Sequence, residues 1–252
     1  VSKAASANGY DLIVSIPRED ETIAERRLLQ TGKADGLIVI GQAGMSKRLE
    51  HIGPLASKIV VWGGQTGHTN YTLVGSDNVD GGRLAADHLI SIGRSQILFL
   101  GPINLPEVKL RHQGFLEAHA KHGKHWDTNL LLEIEFGGRN AFEAVIAMLD
   151  SGTKFDAIFA ASDVLAMAAL MALTSRGIRV PEDVAVTGYD NISQASTTTP
   201  PLTTIDQNIE QGGRMMVEKL LAQLSGESVK SELTPTRLIV RESTSGAAQP
   251  TQ

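Results

Sequence analysis

The sequence predicts an α/β protein of two similar lobes, each a parallel sheet flanked by helices. Three observations carry this. Short apolar runs alternate with amphipathic, helix-forming stretches along the whole chain, the pattern of parallel strands joined by crossover helices. The strand–helix alternation before residue 75 is repeated from 79 to 188, a coarse doubling. The strand ends are followed by short polar residues, and open α/β sheets bind ligands at that end. Two such lobes imply a cleft between them, a favoured place for a small molecule.

The elements follow in order. Val1–Asn8 reads as the second half of a helix ended by Gly9, and Tyr10–Ile16 as a strand. Asp20 or Glu21 opens a helix to about Gly32, with Ile23, Leu28 and Leu29 as its apolar face. Gly36–Ile40 is a strand, Met45–Ile52 a short helix and Lys58–Trp62 a further strand before the glycine-rich Gly63–Gly67 loop. Leu73–Gly75 is extended and leads through Ser76-Asp77-Asn78 to a helix over Val79–Ile92, then a strand over Gln96–Leu100. Pro106–His122 is a helix, Leu130–Phe136 a strand, and Gly137-Gly138-Arg139-Asn140 introduces a helix to about Leu149.

Residues 156–205 form the organising unit. Asp156–Ala160 is a buried strand, and Ser162-Asp163 caps the next helix by offering side-chain oxygens to first-turn N–H groups. Leu165–Ser175 is rich in the strong helix formers Ala, Leu and Met. Gly177 ends that helix and Pro181 prevents its return. Val184–Thr187 is the second strand, ending at Gly188-Tyr189-Asp190-Asn191, with a long loop beyond. Strand, crossover helix and parallel strand make a right-handed unit, which sets Ser162-Asp163 beside Asp190-Asn191 at neighbouring strand ends. Ile209–Leu224 is an amphipathic helix, Leu238–Val240 a last strand, and Ser243–Gln252 reads as a disordered tail.

Composition narrows the function. The 252 residues carry 23 basic and 28 acidic side chains, a net charge of −5, which argues against this segment itself gripping a phosphate backbone. There is no cysteine, so disulfides, thiolate catalysis and Cys-ligated zinc are excluded. The apolar runs fall short of the roughly 20 residues a bilayer crossing needs. No P-loop, no G-x-S-x-G elbow and no G-x-G-x-x-G between strand and helix is present. No catalytic set can be named, and no cofactor or metal is expected. His112, His119, His122 and His125 suggest a metal cluster, but without carboxylate or Cys at ligand spacing a solvated helix end is the better reading.

Several residues have both a binding and a plain structural reading. Asp190 can accept two sugar hydroxyls, or simply form an Asx turn. Arg111 offers five fixed donors suited to hydroxyls, although a lone helix Arg is most often a surface residue. Trp62 and Phe136, at strand ends, can stack on carbohydrate C–H faces, or pack a core.

The pieces Ala161-Ser162-Asp163, Arg179-Val180-Pro181-Glu182-Asp183-Val184, Gly188-Tyr189-Asp190-Asn191 and Thr199-Pro200-Pro201-Leu202-Thr203-Thr204-Ile205 resemble the LacI/GalR family of bacterial transcription regulators. So do Asp77-Asn78 with Gly82-Arg83-Leu84-Ala85, Arg111-His112-Gln113-Gly114-Phe115 and Leu238-Ile239-Val240-Arg241-Glu242-Ser243-Thr244. The likeness covers nearly the whole chain in the right order. It implies a core similar to periplasmic sugar-binding proteins, with three crossovers near Gly75, Gln207 and Thr236. The lobes would be 1–75 with 208–235 and 76–207 with 236–246, leaving 247–252 as a tail. It further implies a cytoplasmic homodimer that binds a small-molecule effector and reads an operator through a helix-turn-helix absent from this sequence.

By matching position, Arg111 and Asp190 would hold effector hydroxyls, Trp62 and Phe136 would be stacking walls, and Gln207 would lie at a crossover by the cleft. Ser162 stands where family members often have Asn. The family pattern also sets a strand and half a helix ahead of the segment matching Val1, so the first lobe is expected to lack its first strand. Arg111, Asp190 and a Trp favour a neutral saccharide over a purine. The leading reading is the effector-binding and dimerisation core of a sugar-responsive regulator. The alternative is a periplasmic sugar-binding protein of an uptake system; an enzyme on this fold ranks third.

Overall fold

The computed structural model describes residues 1–16, 24–40, 53–64 and 69–245. The expected helix start at Asp20 or Glu21, the Met45–Ile52 helix, most of the Gly63–Gly67 loop and the chain beyond Ser245 lie outside the described residues.

The chain divides into two compact units, Val1–Ser76 with Asn208–Pro235, and Asp77–Gln207 with Thr236–Gln252. The first contains helices α1 (Ser2–Ala7) and α2 (Ala24–Gln30) and strands β1 (Leu37–Ile40), β2 (Ile59–Trp62) and β3 (Thr72–Ser76). A later segment of the chain adds α7 (Ile209–Leu224) and β9 (Glu232–Thr234) to it. Its sheet runs β1-β2-β3-β9, every pair parallel. Val60, Val74, Met215, Met216 and Leu220 form one core, where α7 covers one face of the sheet. Leu29, Val39, Ile59 and Val61 form another.

The second unit contains α3 (Asn78–Ser91), β4 (Ile97–Leu100), α4 (Pro106–Lys121), β5 (Leu131–Leu132), α5 (Gly138–Asp150), β6 (Ala157–Ala160), α6 (Asp163–Ser175), β7 (Ala185–Asp190), β8 (Thr203–Asp206), β10 (Arg237–Ile239) and α8 (Glu242–Ser245). Its six strands run β10-β8-β7-β6-β4-β5. All pairs are parallel except β10, which lies antiparallel on β8 with Leu238 opposite Ile205, so this sheet is mixed at one edge rather than wholly parallel. Strands β4 and β6 are buried along their full length, which is why they read as continuous apolar runs rather than alternating ones. Phe99, Phe115, Phe159 and Trp126 interlock edge to face around β4, with Phe99 and Phe159 centroids 5.2 Å apart.

Four expectations need correction. Residues 10–16 form no strand; the chain is extended there, with Ile13, Val14 and Ile16 exposed. β-propensity alone does not make a strand, because backbone N–H and C=O groups need a ladder partner, and no described segment supplies one to 10–16. The expected Leu130–Phe136 strand shrinks to Leu131–Leu132, because its partner β4 ends at Leu100 and the last bond between them runs from the Gly101 N–H to the Leu132 carbonyl at 3.1 Å. The supposed tail begins with α8, where Ser243 and Thr244 are buried. The Ser243 hydroxyl donates to the Val186 carbonyl at 2.6 Å, so a short polar segment docks through hydrogen bonds that hydropathy does not register. The histidines are not a solvated helix end throughout. His119 is buried, its ring 4.4 Å from Phe115 and its Nδ1 2.9 Å from the Phe115 carbonyl oxygen, while His122 pairs with Asp87 at 2.9 Å.

Helices α3 and α4 cross with their backbones nearly touching. A Cβ on Gly82 would stand 2.0 Å from the Arg111 carbonyl oxygen, and one on Gly114 would stand 1.9 Å from that of Val79. No side chain can yield there, because the obstacle is backbone. Gly114→Ala is therefore expected to destabilise the protein by about 3 kcal/mol, the upper range for overpacking a fixed core. Urea unfolding followed by circular dichroism reads this; a loss under about 1 kcal/mol would mean that the crossing relaxes freely.

Candidate functional site

The glycine crossing brings Arg111 to the carboxyl end of the second sheet. Arg111 is 6% exposed, so a helix arginine that would ordinarily be solvated is buried. Its Nε donates to Asn78 Oδ1 at 2.8 Å and its Nη1 to the Ala161 carbonyl at 2.5 Å. The guanidinium carbon lies 3.7 Å from the centre of the Tyr189 ring. Asn78, at the first turn of α3, and Ala161, directly after β6, thus fix two of its five N–H groups, and the aromatic face holds the plane.

Asp190 closes β7 in a left-handed backbone conformation, φ +122°, and Asn191 follows at φ +53°. Two consecutive non-glycine residues with positive φ are costly, and such outliers persist where surrounding contacts over-determine them, often at ligand sites. The Gln207 amide donates to Asp190 Oδ1 at 2.5 Å. Partial burial pushes the Asp190 carboxyl above the usual range, opposed by the Arg111 charge, the Gln207 amide and the backbone N–H of Asp163. Arg111 and Asp190 act on each other through space: among the described residues they form no direct ion pair.

Ser162 is buried, and its hydroxyl accepts from the Leu165 N–H at 3.3 Å, the helix-cap role expected of it. The next residue, Asp163, is fully buried. Its Oδ2 accepts from the Ile192 N–H at 2.9 Å and its Oδ1 from the Thr204 hydroxyl at 2.5 Å. Burial pushes this carboxyl up to about 6, assisted by the nearby Asp190 charge and opposed by Thr204, Ile192 and Arg241. Arg241 ties down the far side of the bend, donating to Asn191 Oδ1 and to the Leu202 carbonyl, both at 2.7 Å.

The structure brings Arg111, Ser162, Asp190 and Gln207 to one end of the six-stranded sheet. Phe136 belongs to the same unit but sits in the loop before α5, 48% exposed. Trp62 belongs to the first unit, where its ring lies against the backbone of Gly212 and the core that α7 covers; the core-packing reading of that residue holds within its unit. Sequence reasoning missed Asn78 and Tyr189 as the partners that orient Arg111, and Asp163 as more than a helix-opening residue. The signal for Asp163 was its place in the crossover unit, three residues past the end of β6.

Residues 86–244 match the periplasmic binding protein-like domain family. A helix-turn-helix (HTH)-type regulator, CelR of Thermobifida fusca, is 38% identical over 170 residues, covering 66% of this chain and 50% of that protein. The HTH-type repressor PurR of Haemophilus influenzae is 30% identical over 247 residues, covering 93% of this chain and 72% of the repressor. The solved complex of the regulator CelR with cellobiose superposes with TM-score 0.84 at 32% identity, covering 96% of this chain and 76% of that one. A LacI-family regulator from Enterococcus faecium with bound ribose gives 0.84 at 25% identity over 98% of this chain and 92% of that one.

The chain belongs to the LacI family of transcriptional regulators, through its periplasmic-binding-protein-like domain. It spans half the length of the curated CelR relative that it matches.

The buried Asp163 gives stability a definite pH dependence. Its folded pKa of about 6 lies above the unfolded value, so the native state binds the proton more tightly. Its contribution is fully present below about pH 4 and is lost as the pH rises through 6, by up to about 3 kcal/mol. Denaturant unfolding from pH 4 to 7 should show wild type losing stability relative to Asp163→Asn by an amount of that order. Parallel curves would contradict the assignment.

Proposed function

We propose that this chain is the effector-binding and dimerisation core of a LacI-type transcriptional regulator, and that its effector is a neutral saccharide held by Arg111 and Asp190. The observation that carries the reading is the pairing of a buried, preoriented guanidinium with a strained carboxylate at one end of the second sheet. A sugar diol suits both at once: its hydroxyls donate to Asp190 and its oxygens accept from the N–H groups of Arg111 that Asn78 and Ala161 leave over. Gln207 orients the carboxylate, Ser162 offers a further hydroxyl, and the exposed ring of Phe136 supplies an apolar face for stacking. The saccharide complexes of CelR and the E. faecium regulator support this ligand class. No catalytic role is assigned to any residue.

Effector binding then acts by shifting an equilibrium between two conformations that differ in affinity for it, with coupling of about 1–3 kcal/mol. Operator binding belongs to a helix-turn-helix outside residues 1–252, and the regulator works in the cytoplasm. The homodimer reading is supported by the surface of α6, where Val164 is 45% exposed and Met171 65%, two apolar side chains seven residues apart on one helix face. The lac repressor, solved as a dimer bound to operator, superposes at TM-score 0.84 with 26% identity.

A thermal-shift screen with cellobiose, ribose, other mono- and disaccharides, nucleosides and amino acids tests the ligand class. A saccharide at 100 times its dissociation constant should add about 2.7 kcal/mol of stability. Asp190→Ala should abolish that shift with the fold intact by circular dichroism, and undiminished binding would sink the site. A nucleoside hit without a saccharide hit would replace the ligand class.

For the dimer, Met171→Glu should give monomers in sedimentation velocity where wild type gives dimers. A persistent dimer would move the interface elsewhere.

A further inference from the structure

Resting on the reading of Asp190 as a ligand for the effector, we infer that Asp163 is a positioning residue for that site, a single buried carboxylate that fastens both backbone amides following Asp190 and so fixes the bend that presents it. The first attachment is direct, from the Ile192 N–H to Asp163 Oδ2 at 2.9 Å. The second runs through Thr204, whose hydroxyl donates to Asp163 Oδ1 at 2.5 Å and accepts from the Asn191 N–H at 3.3 Å. A hydroxyl has one proton to give. Because that proton goes to Asp163, the Thr204 oxygen is left to receive the Asn191 amide.

The packing around Asp163 is built to this shape. A Cβ on Gly188 would stand 2.3 Å from Asp163 Oδ1, so β7 passes the carboxylate only because residue 188 is glycine. Asp163 is fully shielded from water, leaving these donors as its solvation. The charged groups facing it are Asp190 from the end of β7 and Arg241 from the segment after β10, the first disfavouring and the second favouring its ionised form. Arg241 also holds the Asn191 side chain. The bend at Asp190 and Asn191, both at positive φ, is thus held from beneath by Asp163 and from the side by Arg241. Asp163 itself does not reach the ligand; it acts through the backbone of the residue that does.

The substitutions separate geometry from charge. Asp163→Ala removes both attachments. Asp163→Asn keeps the shape, since its oxygen can accept from Ile192 while its amide donates to Thr204, whose oxygen still takes the Asn191 amide. Thr204→Val cuts only the second arm and is the variant to use if Asp163→Ala does not fold. Cellobiose is the probe, measured by titration calorimetry against wild type and all three variants of the 252-residue chain, alongside amide hydrogen exchange of the peptide spanning Asp190–Ser193.

Affinity should fall about 30-fold or more in Asp163→Ala and by about tenfold in Thr204→Val, and stay within about threefold of wild type in Asp163→Asn. Exchange at Ile192 should accelerate in Asp163→Ala and recover in Asp163→Asn. A merely structural role would lower the melting temperature without tracking affinity in this order. Wild-type affinity in Asp163→Ala or Thr204→Val overturns the inference. If wild type itself does not bind cellobiose, the effector reading fails for that sugar. Exchange then decides the positioning claim alone: unaltered protection of Ile192 in Asp163→Ala overturns it, and selective loss sustains it.

Discussion

The second unit depends on keeping the Arg111 guanidinium buried. Removing a full charge from water costs several kcal/mol unless hydrogen bonds and an opposite charge compensate it. Here compensation comes from four directions: the Asn78 amide oxygen, the Ala161 carbonyl, the Tyr189 ring and the more distant Asp190 carboxylate. Each requirement propagates outward. Asn78 must open α3, β6 must end at Ala160, and Tyr189 must face inward beneath the cation. Helices α3 and α4 must also meet closely enough for an α4 side chain to reach the sheet, which is what Gly82 and Gly114 permit.

Opposite this preorganised cation stands a carboxylate that the fold holds under strain. Asp190 sits at positive φ, and burial raises its pKa against the opposing pull of Arg111 and Gln207. A carboxylate and a guanidinium that attract each other without collapsing into an ion pair leave hydrogen-bonding capacity for a third party.

Much of this was legible in the sequence, and the failures share a cause. Buried strands such as β4 and β6 declared themselves as apolar runs, and α6 through its Ala/Leu/Met composition and Ser162 cap, because those features encode burial and local hydrogen bonding directly. β8 went unread inside the Thr-Pro-Pro-Leu-Thr-Thr-Ile loop, although Thr203, Thr204 and Ile205 are β-branched, since its ladder partners lie far away in sequence. The opposite error fell on Tyr10–Ile16, whose composition is that of a strand but which pairs with no described segment. Arg111 and Asp190 were visible as candidates, but burial, aromatic support and backbone strain arise only from tertiary packing. Asp163 looked like a helix-start residue because its partners, Ile192 and Thr204, are 29 and 41 residues away.

The central claim is that Arg111 and Asp190 together hold the hydroxyls of a saccharide. A crystal structure of this chain grown with the best saccharide from screening tests it most directly. The account predicts sugar hydroxyls within about 2.6–3.2 Å of the Asp190 carboxylate and of the Arg111 guanidinium, with Asn78 and Ala161 still on the far side of the arginine. A well-ordered sugar held wholly by other residues, with Asp190 and Arg111 unengaged, would contradict it.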